Sequence, residues 1–317
     1  MNSLTSLLQC GQANFDALPL INCLNPRSYK SLIHSNYRRR GSLKDVINYR
    51  KSFNESDFFM KCGSCNFCQE SYKRSWATRL YLEADTHGFD NCCFVTLTYD
   101  DDHLPENSSV SLCDVQKFWK RLRKHLDTKC YGHKIRYAVV SEYGSDKYTH
   151  RPHYHAVIFG LSYIHSDLIR KVWQQGFVNL KPVTFDRCTY LSKYLLKSKF
   201  KKEERKKLSF LNKCHNFFTQ SKGIGFAHVK KFAARYKKDS FIISIKRHLP
   251  SALMRKIFST KEDFVNHYKS LAIKDLEKHE RTRLKFSYSV REYLEYFNRN
   301  LIQMDKTINA KKRLQSV

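Results

Sequence analysis

Two histidines, His153 and His155, stand at alternate positions in the segment RPHYHAVIFG. The apolar and aromatic residues of this segment predict a strand, and alternate side chains of a strand point to the same face. The two imidazoles therefore share one face, while Tyr154 points to the other. Two such imidazoles can hold one divalent metal ion. The alternative is a pair of surface or core histidines, as is common for this spacing in isolation.

A carboxylate is expected beside the histidines. Glu142 ends the preceding predicted strand, and the polar residues between the two strands predict a hairpin. A symmetrical hairpin centred between Lys147 and Tyr148 places Glu142 opposite His153. Two imidazole nitrogens and one carboxylate oxygen leave coordination positions open, as a catalytic metal requires.

Two tyrosines lie one helical turn apart in the segment TYLSKYLLK. Tyr190 and Tyr194 share a helix face, and Lys193 and Lys197 each follow a tyrosine by three residues. A phenol is a nucleophile toward a phosphodiester when a metal or a lysine stabilises the phenolate. The alternative is a pair of core tyrosines in an amphipathic helix.

Four cysteines have a spacing that suits a metal. Cys62, Cys65 and Cys68 form C-x-x-C-x-x-C, and Cys23 lies upstream. Four thiolates in a tetrahedron are typical of structural zinc, which would clip the N-terminal segment to the helix beginning near Gln69. Iron–sulfur ligation uses similar spacings, and small buried thiols at a helix start are a further alternative. Other cysteines in core-like positions are expected to be inert: Cys92, Cys93, Cys113 and Cys188.

The composition points to a polyanionic partner. The 317 residues carry 58 Lys and Arg against 29 Asp and Glu, a net charge of +29, and this surplus favours nucleic acid. The 41% hydrophobic content supports a core and excludes wholesale disorder. No apolar run approaches the ~18 residues of a membrane-spanning helix. The N-terminus has neither a basic leader nor an apolar stretch, which argues against secretion and for a cytoplasmic protein.

The positive charge is concentrated between residues 197 and 247. Basic side chains neutralise phosphates and aromatic rings stack on unpaired bases, so this region suits single-stranded nucleic acid. The interleaved aromatic residues are Phe210, Phe217, Phe218, Phe226, Phe232 and Tyr236. The candidate DNA contacts are Lys222, Lys230, Lys231, Arg235 and Lys237. The alternative is a solvated helix face backed by core aromatics.

The pattern of apolar residues predicts alternating strands and helices. A helix over residues 69–87 precedes a buried strand over 92–99, and Ser111 with Asp114 forms a capping box that begins the next helix. The later predicted elements are strands over 135–142 and 153–160, a helix over 166–175, a strand over 177–183 and a helix over 186–199. This order predicts an α+β fold of the ferredoxin-like (split βαβ) type, with an antiparallel sheet and helices on one face.

Several of these segments together resemble a known family. The strand FVTLTY, the histidine pair and the paired Y-x-x-K units resemble the three motifs of the HUH endonucleases, the rolling-circle replication initiators. The resemblance is closest to the initiators of the gokushoviruses, single-stranded DNA phages of the microvirus family, and covers roughly residues 23–250. The segments that carry it are CLNP, KCGSCNFC, CFVTLTYDDDHLPEN, SEYG, RPHYHAVIFG and SKGIG. The turn SDKYTHRP departs from the family, in which a glycine often precedes the position of Arg151.

The resemblance implies roles for the residues singled out above. It makes Glu142, His153 and His155 ligands of a catalytic Mg or Mn ion, and Tyr190 and Tyr194 dual nucleophiles. The protein would act in the host bacterial cytoplasm, nick origin DNA through a 5′-phosphotyrosyl intermediate, start rolling-circle replication and rejoin the strand at termination. Its partners would be single-stranded DNA, the viral origin and the host replication machinery, with no membrane. Oligomeric state stays open.

The same resemblance divides the chain into three parts. Residues 1–68 form an N-terminal segment with the cysteine cluster, and residues 69–250 form the HUH endonuclease domain. Residues 251–317 form a helical C-terminal extension, in which Ser289 and Glu292 make a capping box. The apolar residues that follow at spacings of four and three suit packing on the chain's own core or dimerisation.

A rival interpretation is a non-catalytic, zinc-containing protein that binds single-stranded nucleic acid. It explains the charge, the aromatic residues and the cysteines equally well. It gives no role to Glu142, the histidine pair or the tyrosine pair. A covalent, metal-dependent protein–DNA adduct separates the two interpretations, because a binding protein forms none.

Overall fold

The computed structural model describes residues 62–130, 134–144, 151–200, 202–260 and 277–314, together with residues 23, 27–28, 59–60, 263 and 267. The chain divides into two compact units, one formed by residues 72–259 and the other by residues 1–71 with 260–317. None of the described helices is both long and apolar enough to cross a membrane.

The described helices and strands follow the order predicted for an α+β protein. The strands are β1 (Arg27–Ser28), β2 (Phe59–Met60), β3 (Cys92–Tyr99), β4 (Arg136–Tyr143), β5 (Pro152–Phe159), β6 (Gly176–Pro182), β7 (Phe218–Gln220), β8 (Phe241–Ile242) and β9 (Arg247–His248). The helices are α1 (Asn66–His87), α2 (Leu112–Cys130), α3 (Ser166–Trp173), α4 (Phe185–Phe200), α5 (Lys202–Phe210), α6 (Phe226–Lys231), α7 (Ala233–Lys238), α8 (Ser251–Met254) and α9 (Val290–Leu314). Residues 277–285 are also helical.

The larger unit is built on a five-stranded sheet with the strand order β6-β3-β5-β4-β7. Every pair of neighbouring strands in this sheet is antiparallel. The predicted succession of strand, helix, two strands, helix and strand is therefore confirmed from β3 to β6.

Helices cover both faces of the sheet, so the prediction of helices on one face is wrong. Apolar residues of α2 and α3 pack under one face, and those of α1 and α4 pack over the other. The physical reason lies in the central strands, since β3 is buried at six of its eight positions and presents apolar side chains on both sides. A sheet with two apolar faces must be covered twice.

The start of α2 fixes one end of the lower core. The Asp114 amide donates to Ser111 Oγ at 3.2 Å, as the predicted cap requires. The Ser111 amide donates instead to the Tyr154 hydroxyl at 2.6 Å, and that hydroxyl lies 2.9 Å from the hydroxyl of Tyr99. Tyr154 therefore points away from the histidines that flank it, as predicted.

The other unit contains the cysteine cluster and α9. In α9 the predicted capping box is confirmed in both directions, because Glu292 N donates to Ser289 Oγ at 3.2 Å and Ser289 N donates to Glu292 Oε2 at 2.7 Å. The predicted apolar seam fails at Met304, which is 55% exposed, while Leu301 is buried. Tyr293, outside the predicted seam, is also buried.

Three of the four cysteines expected in the core are buried, namely Cys92, Cys93 and Cys188. Burial raises the pKa of each thiol, which leaves them unreactive near neutral pH. Cys113 is exposed, so its predicted core position is wrong. It lies in the first turn of α2, where it falls outside the apolar stripe that packs on the sheet.

Candidate functional site

The hairpin of β4 and β5 brings the predicted acidic residue to the histidines. Glu142 pairs directly with His153, and Val140 pairs with His155, which is the predicted register. Directly paired residues of neighbouring strands point to the same face. Glu142, His153 and His155 therefore lie together on the face that α1 and α4 cover.

Two threonines of the neighbouring strand β3 hold the imidazoles. Thr96 pairs with His155 and Thr98 pairs with His153, and each threonine Oγ1 lies 3.1 Å from the Nδ1 of its histidine. With Nδ1 engaged, the Nε2 atoms are the nitrogens left for another ligand. Such partners fix the ring orientation and tautomer of metal-binding histidines. The role of these threonines was not predicted, although both lie in the strand FVTLTY.

The carboxylate of Glu142 lies close to one imidazole in a largely dry setting. Its Oε2 is 3.4 Å from His155 Nε2, and both residues are buried. Burial lowers the pKa of His153, and the nearby His155 and Arg151 lower it further, against the opposing charge of Glu142. A neutral imidazole is the form that binds a metal, so this environment favours the ligand form of His153.

A glycine leaves space beside the second imidazole. The Gly144 amide donates to the Arg151 carbonyl at 3.1 Å, next to the turn of the hairpin. A side-chain carbon added at Gly144 would lie 3.4 Å from His153 Nε2. The glycine of the segment SEYG therefore keeps that nitrogen accessible.

Helix α4 places both tyrosines over His155. The Tyr194 ring stacks on the imidazole with centroids 4.8 Å apart, and the Tyr190 ring meets it edge-on at 5.3 Å. The Tyr194 hydroxyl donates to the Tyr190 hydroxyl at 2.6 Å. The predicted common helix face is therefore confirmed, and the histidine and tyrosine motifs meet at one place.

The two tyrosines differ in their surroundings. Burial raises the pKa of Tyr194, and the Tyr190 hydroxyl and the charge of Glu142 raise it further. Tyr194 therefore stays protonated and donates its hydrogen bond. Tyr190 is 43% exposed, and its oxygen accepts that bond.

The two lysines of the Y-x-x-K units also lie on α4, each three residues beyond a tyrosine. Among the described side chains, neither tyrosine hydroxyl is hydrogen-bonded to Lys193, which is half-buried. The side chain of Lys197 lies outside the described residues. The tyrosines thus meet the histidines, whereas Lys193 does not meet the tyrosine oxygens in the described part of the chain.

The sulfur atoms of Cys23, Cys62, Cys65 and Cys68 form a compact group within 4.8 Å of one another. Individual separations run from 3.5 Å between Cys65 and Cys68 to 3.9 Å between Cys62 and Cys68. A tetrahedral zinc with bonds of about 2.3 Å to sulfur requires sulfur atoms about 3.8 Å apart. The four cysteines therefore form a group that fits a tetrahedral metal ion.

Local backbone structure assembles this group. The pairing of Arg27 with Met60 brings the N-terminal strand close to the cluster, and the Cys62 amide donates to Cys23 Sγ at 3.3 Å. Gly63, with φ of 76°, turns the chain so that the Cys65 amide donates to Cys62 Sγ at 3.3 Å.

The thiols of the cluster differ in acidity. Hydrogen bonds from Cys23 and Cys65, together with the amides of Ser64 and Cys65, lower the pKa of Cys62. Burial raises the pKa of Cys68 to about 11. One thiolate is therefore favoured by the protein alone, while a buried partner such as Cys68 needs a bound cation to ionise.

Within the described part of the chain, these cysteines are the group that brings three or more potential ligand atoms this close together, and Glu142, His153 and His155 do not meet that spacing. The donor set of two imidazoles and a carboxylate is nevertheless of the kind that divalent metals take. The Nδ1 atoms are already engaged by Thr96 and Thr98, which leaves the set ready to face one ion through Nε2.

The five predicted DNA contacts are all exposed. Lys222 precedes the turn at Gly223 and Gly225, and the others lie on α6 and α7: Lys230, Lys231, Arg235 and Lys237. The two glycines have φ of 76° and 81°, so the predicted tight turn is confirmed.

Most of the interleaved aromatic residues are not free to stack on bases. Phe217 and Phe218 pack against the two cores, and Tyr236 is buried. Phe210 and Phe232 are exposed. The prediction of stacking rings holds for a minority of this set, because the sequence pattern does not separate core rings from surface rings.

Comparison with known proteins identifies the class to which the central part of the chain is similar. Residues 92–199 match the family of replication-associated proteins that carry the names ORF2 and gene 2 protein. This span runs from β3 through most of α4, so it contains Glu142, both histidines and both tyrosines.

Individual relatives come from small phages. The chain is 31% identical over 173 residues to Replication-associated protein VP4 of Bdellovibrio phage phiMH2K, a match that covers 48% of this chain and 53% of the relative. It is 30% identical over 218 residues to Replication-associated protein ORF2 of Spiroplasma virus 4, covering 62% and 65%. It is 28% identical over 159 residues to Replication-associated protein ORF4 of Chlamydia phage 1, covering 44% and 38%.

In each match the chain covers less than two thirds of the relative's own length. No solved structure matches the chain. The matches confirm the resemblance to microvirus-type replication initiators that the motifs predicted.

Proposed function

We propose that the protein is a metal-dependent HUH endonuclease and strand transferase that initiates rolling-circle replication of a phage genome. The observation that carries the proposal is the meeting of the motifs at one point, where Tyr190 and Tyr194 lie against His155 beside Glu142. The named relatives are replication-associated proteins, which agrees with this role. The sheet order supports a ferredoxin-like fold of the HUH type for residues 69–250.

Glu142, His153 and His155 would hold the catalytic ion, Mg or Mn, through the carboxylate and the two Nε2 atoms. Such an ion, when bound, polarises the scissile phosphate and offsets its charge. The threonine bonds to Nδ1 keep the rings in place. The chain's own contribution is thus a rigid set of ligands on paired strands.

Tyr190 is the first nucleophile in this proposal. It is the more exposed tyrosine, and the hydrogen bond donated by Tyr194 stabilises negative charge on its oxygen. That oxygen attacks phosphorus, the bond from phosphorus to the 3′ oxygen breaks, and the 3′ oxygen takes a proton in place of the one that Tyr190 loses. The products are a 5′-phosphotyrosyl protein and a free 3′-hydroxyl.

The free 3′-hydroxyl is the end that a host polymerase extends. Because the phosphotyrosyl bond retains the energy of the original phosphodiester, a later 3′-hydroxyl can attack it and release a closed circle. Tyr194, on the same helix face as Tyr190, serves as the second nucleophile for this termination step. Lys193 and Lys197 would assist by their charge as α4 engages the DNA.

The cysteine cluster holds a structural zinc in this proposal. The sulfur separations of 3.5 Å to 3.9 Å fit a zinc tetrahedron. The exposed basic residues of α6 and α7, with Lys222, contribute to affinity for single-stranded DNA.

A covalent-adduct assay tests the proposal. The protein is incubated with Mn or Mg and the circular single-stranded DNA that encodes it, and denaturing gels then reveal any protein-linked DNA. We expect an adduct that requires metal and is lost in His153→Ala and His155→Ala, while salt-sensitive binding to DNA persists in both variants. Binding without any adduct would favour the rival interpretation, a zinc-containing binding protein.

A further inference from the structure

A stripe of three exposed side chains lies on the edge strand β6. Phe177, Asn179 and Lys181 alternate along the strand, and all three are exposed, with Phe177 at 68%. The residues between them, Val178 and Leu180, pack against the lower core. The stripe therefore lies on the opposite face, which is the face of the candidate active site.

The strand register connects the stripe to the site. Phe177 pairs with Thr98, and Asn179 pairs with Thr96, the two threonines that hold His153 and His155. Lys181 pairs with Phe94, whose ring lies edge-on to Tyr190 with centroids 6.2 Å apart. Each member of the stripe is thus separated from a group at the site by a single residue of β3.

The three side chains have complementary uses on one ligand. The Phe177 ring offers a face on which an unpaired base can stack, the Asn179 amide can bond a base edge, and the Lys181 ammonium can meet a phosphate. A phenylalanine with 68% of its surface exposed on a sheet edge has no role in the described cores of this unit.

We propose that this β6 stripe binds the unpaired nucleotides that flank the scissile phosphate. The net charge of +29 and Lys181 favour a polyanion, and the stripe is continuous with the candidate site through Thr96 and Thr98. This inference rests on the proposed function for the identity of the DNA, and it adds the surface that positions the strand at the tyrosines.

A second copy of this chain is the less suitable occupant of the edge. Lys181 and Pro182 lie in the strand, and charged residues and proline on an edge strand oppose pairing with another strand.

The test uses the full-length protein without added divalent metal. A short oligo-dT strand labelled with a fluorophore serves as the binding probe, because stacking on an aromatic ring is tolerant of sequence. We expect Phe177→Ala to weaken binding about tenfold, Phe177→Leu to weaken it similarly because it keeps bulk but lacks a π face, and Phe177→Trp to retain it. The matched control is Tyr163→Ala, which removes an exposed ring from the turn before α3 and leaves binding unchanged.

A second measurement does not depend on any variant folding. The same oligo-dT with one 5-iodouracil is irradiated in complex with the unaltered protein, and the cross-linked peptide is identified by mass spectrometry. A cross-link at Phe177 supports the inference.

The outcomes separate this inference from the proposed function. A protein that cross-links through Phe177 but never forms an adduct keeps the stripe and loses the nuclease. A protein that forms the adduct, but binds equally well as Phe177→Ala and cross-links elsewhere, keeps the nuclease and overturns the stripe. Equal weakening by Tyr163→Ala also overturns it.

Discussion

At the scale of single residues, the threonine bonds to the imidazoles carry the sharpest prediction. Thr96→Val removes the hydroxyl that holds His155 Nδ1 while keeping a β-branched side chain of similar shape. We expect metal-dependent nicking to fall about 10–100-fold, as for other partners that orient metal-binding histidines. Titration of nicking against Mn concentration checks this.

The matched control is Thr86→Val on α1, whose hydroxyl donates to the Leu82 carbonyl one turn earlier. Its nicking should equal that of the parent. Unchanged activity in Thr96→Val would show that the threonine does not orient His155 for a metal.

The tyrosine pair gives a second prediction at this scale. Tyr190→Phe and Tyr194→Phe keep the rings that pack on His155 and remove only the hydroxyl groups. We expect both variants to retain some single-turnover cleavage, with the larger loss in Tyr190→Phe, and neither to release repeated unit-length circles. Single-turnover gels and circle counting measure these. Repeated circles from either variant would refute alternation of the tyrosines.

At the scale of elements, the buried carboxylate of Glu83 connects α1 to the turn at residues 221–225. Its Oε2 accepts from the Gly225 amide at 2.6 Å, and its Oε1 pairs with Arg136. Burial acts to raise the pKa of Glu83, but bonds from His87, Gly225 and Arg136 outweigh it, and the folded pKa is lowered from 4.5. The charged form is therefore the one that stabilises the fold.

We expect Glu83→Gln to lower the free energy of unfolding by about 2 kcal/mol at neutral pH. A lowered folded pKa gives stability that is present above the unfolded value of 4.5 and is lost as pH falls through the folded value. The difference between parent and variant should therefore shrink in acid. Urea unfolding at several pH values checks this, with the exposed Glu106→Gln as control. A difference that is constant with pH would contradict the assigned charge.

The accuracy of the sequence-based predictions follows the range of the interactions involved. The opposition of Glu142 and His153 was predictable because a hairpin fixes its own register. The threonine partners depend on the pairing of β3 with β5, which lie far apart in sequence, so no local pattern revealed them. The exposure of Phe177 depends on β6 lying at the sheet edge. The cover on both faces was missed because α1 precedes the repeat of strands and helices that suggested the fold.

At the scale of the whole molecule, the cysteine cluster ties Cys23 to residues 62–68. Because metal binding and folding are coupled, we expect one zinc per chain to copurify, and chelation or Cys65→Ser to lower the melting temperature. Metal analysis and thermal melting with Cys113→Ser as control measure this, since Cys113 is exposed and outside the cluster. Bound iron with visible absorption, or full stability in Cys65→Ser, would count against zinc.

The central claim concerns the covalent bond between the protein and DNA, and peptide mapping of the adduct tests it most directly. After reaction with Mn and the encoding single-stranded circle, the adduct is digested with protease and nuclease, and the nucleotide-bearing peptide is sequenced by mass spectrometry. The account predicts a 5′-phosphate joined to Tyr190, or to Tyr194 in Tyr190→Phe, and no adduct when both are phenylalanine. A nick that leaves a free 5′-phosphate, or an adduct on a residue outside α4, would contradict it.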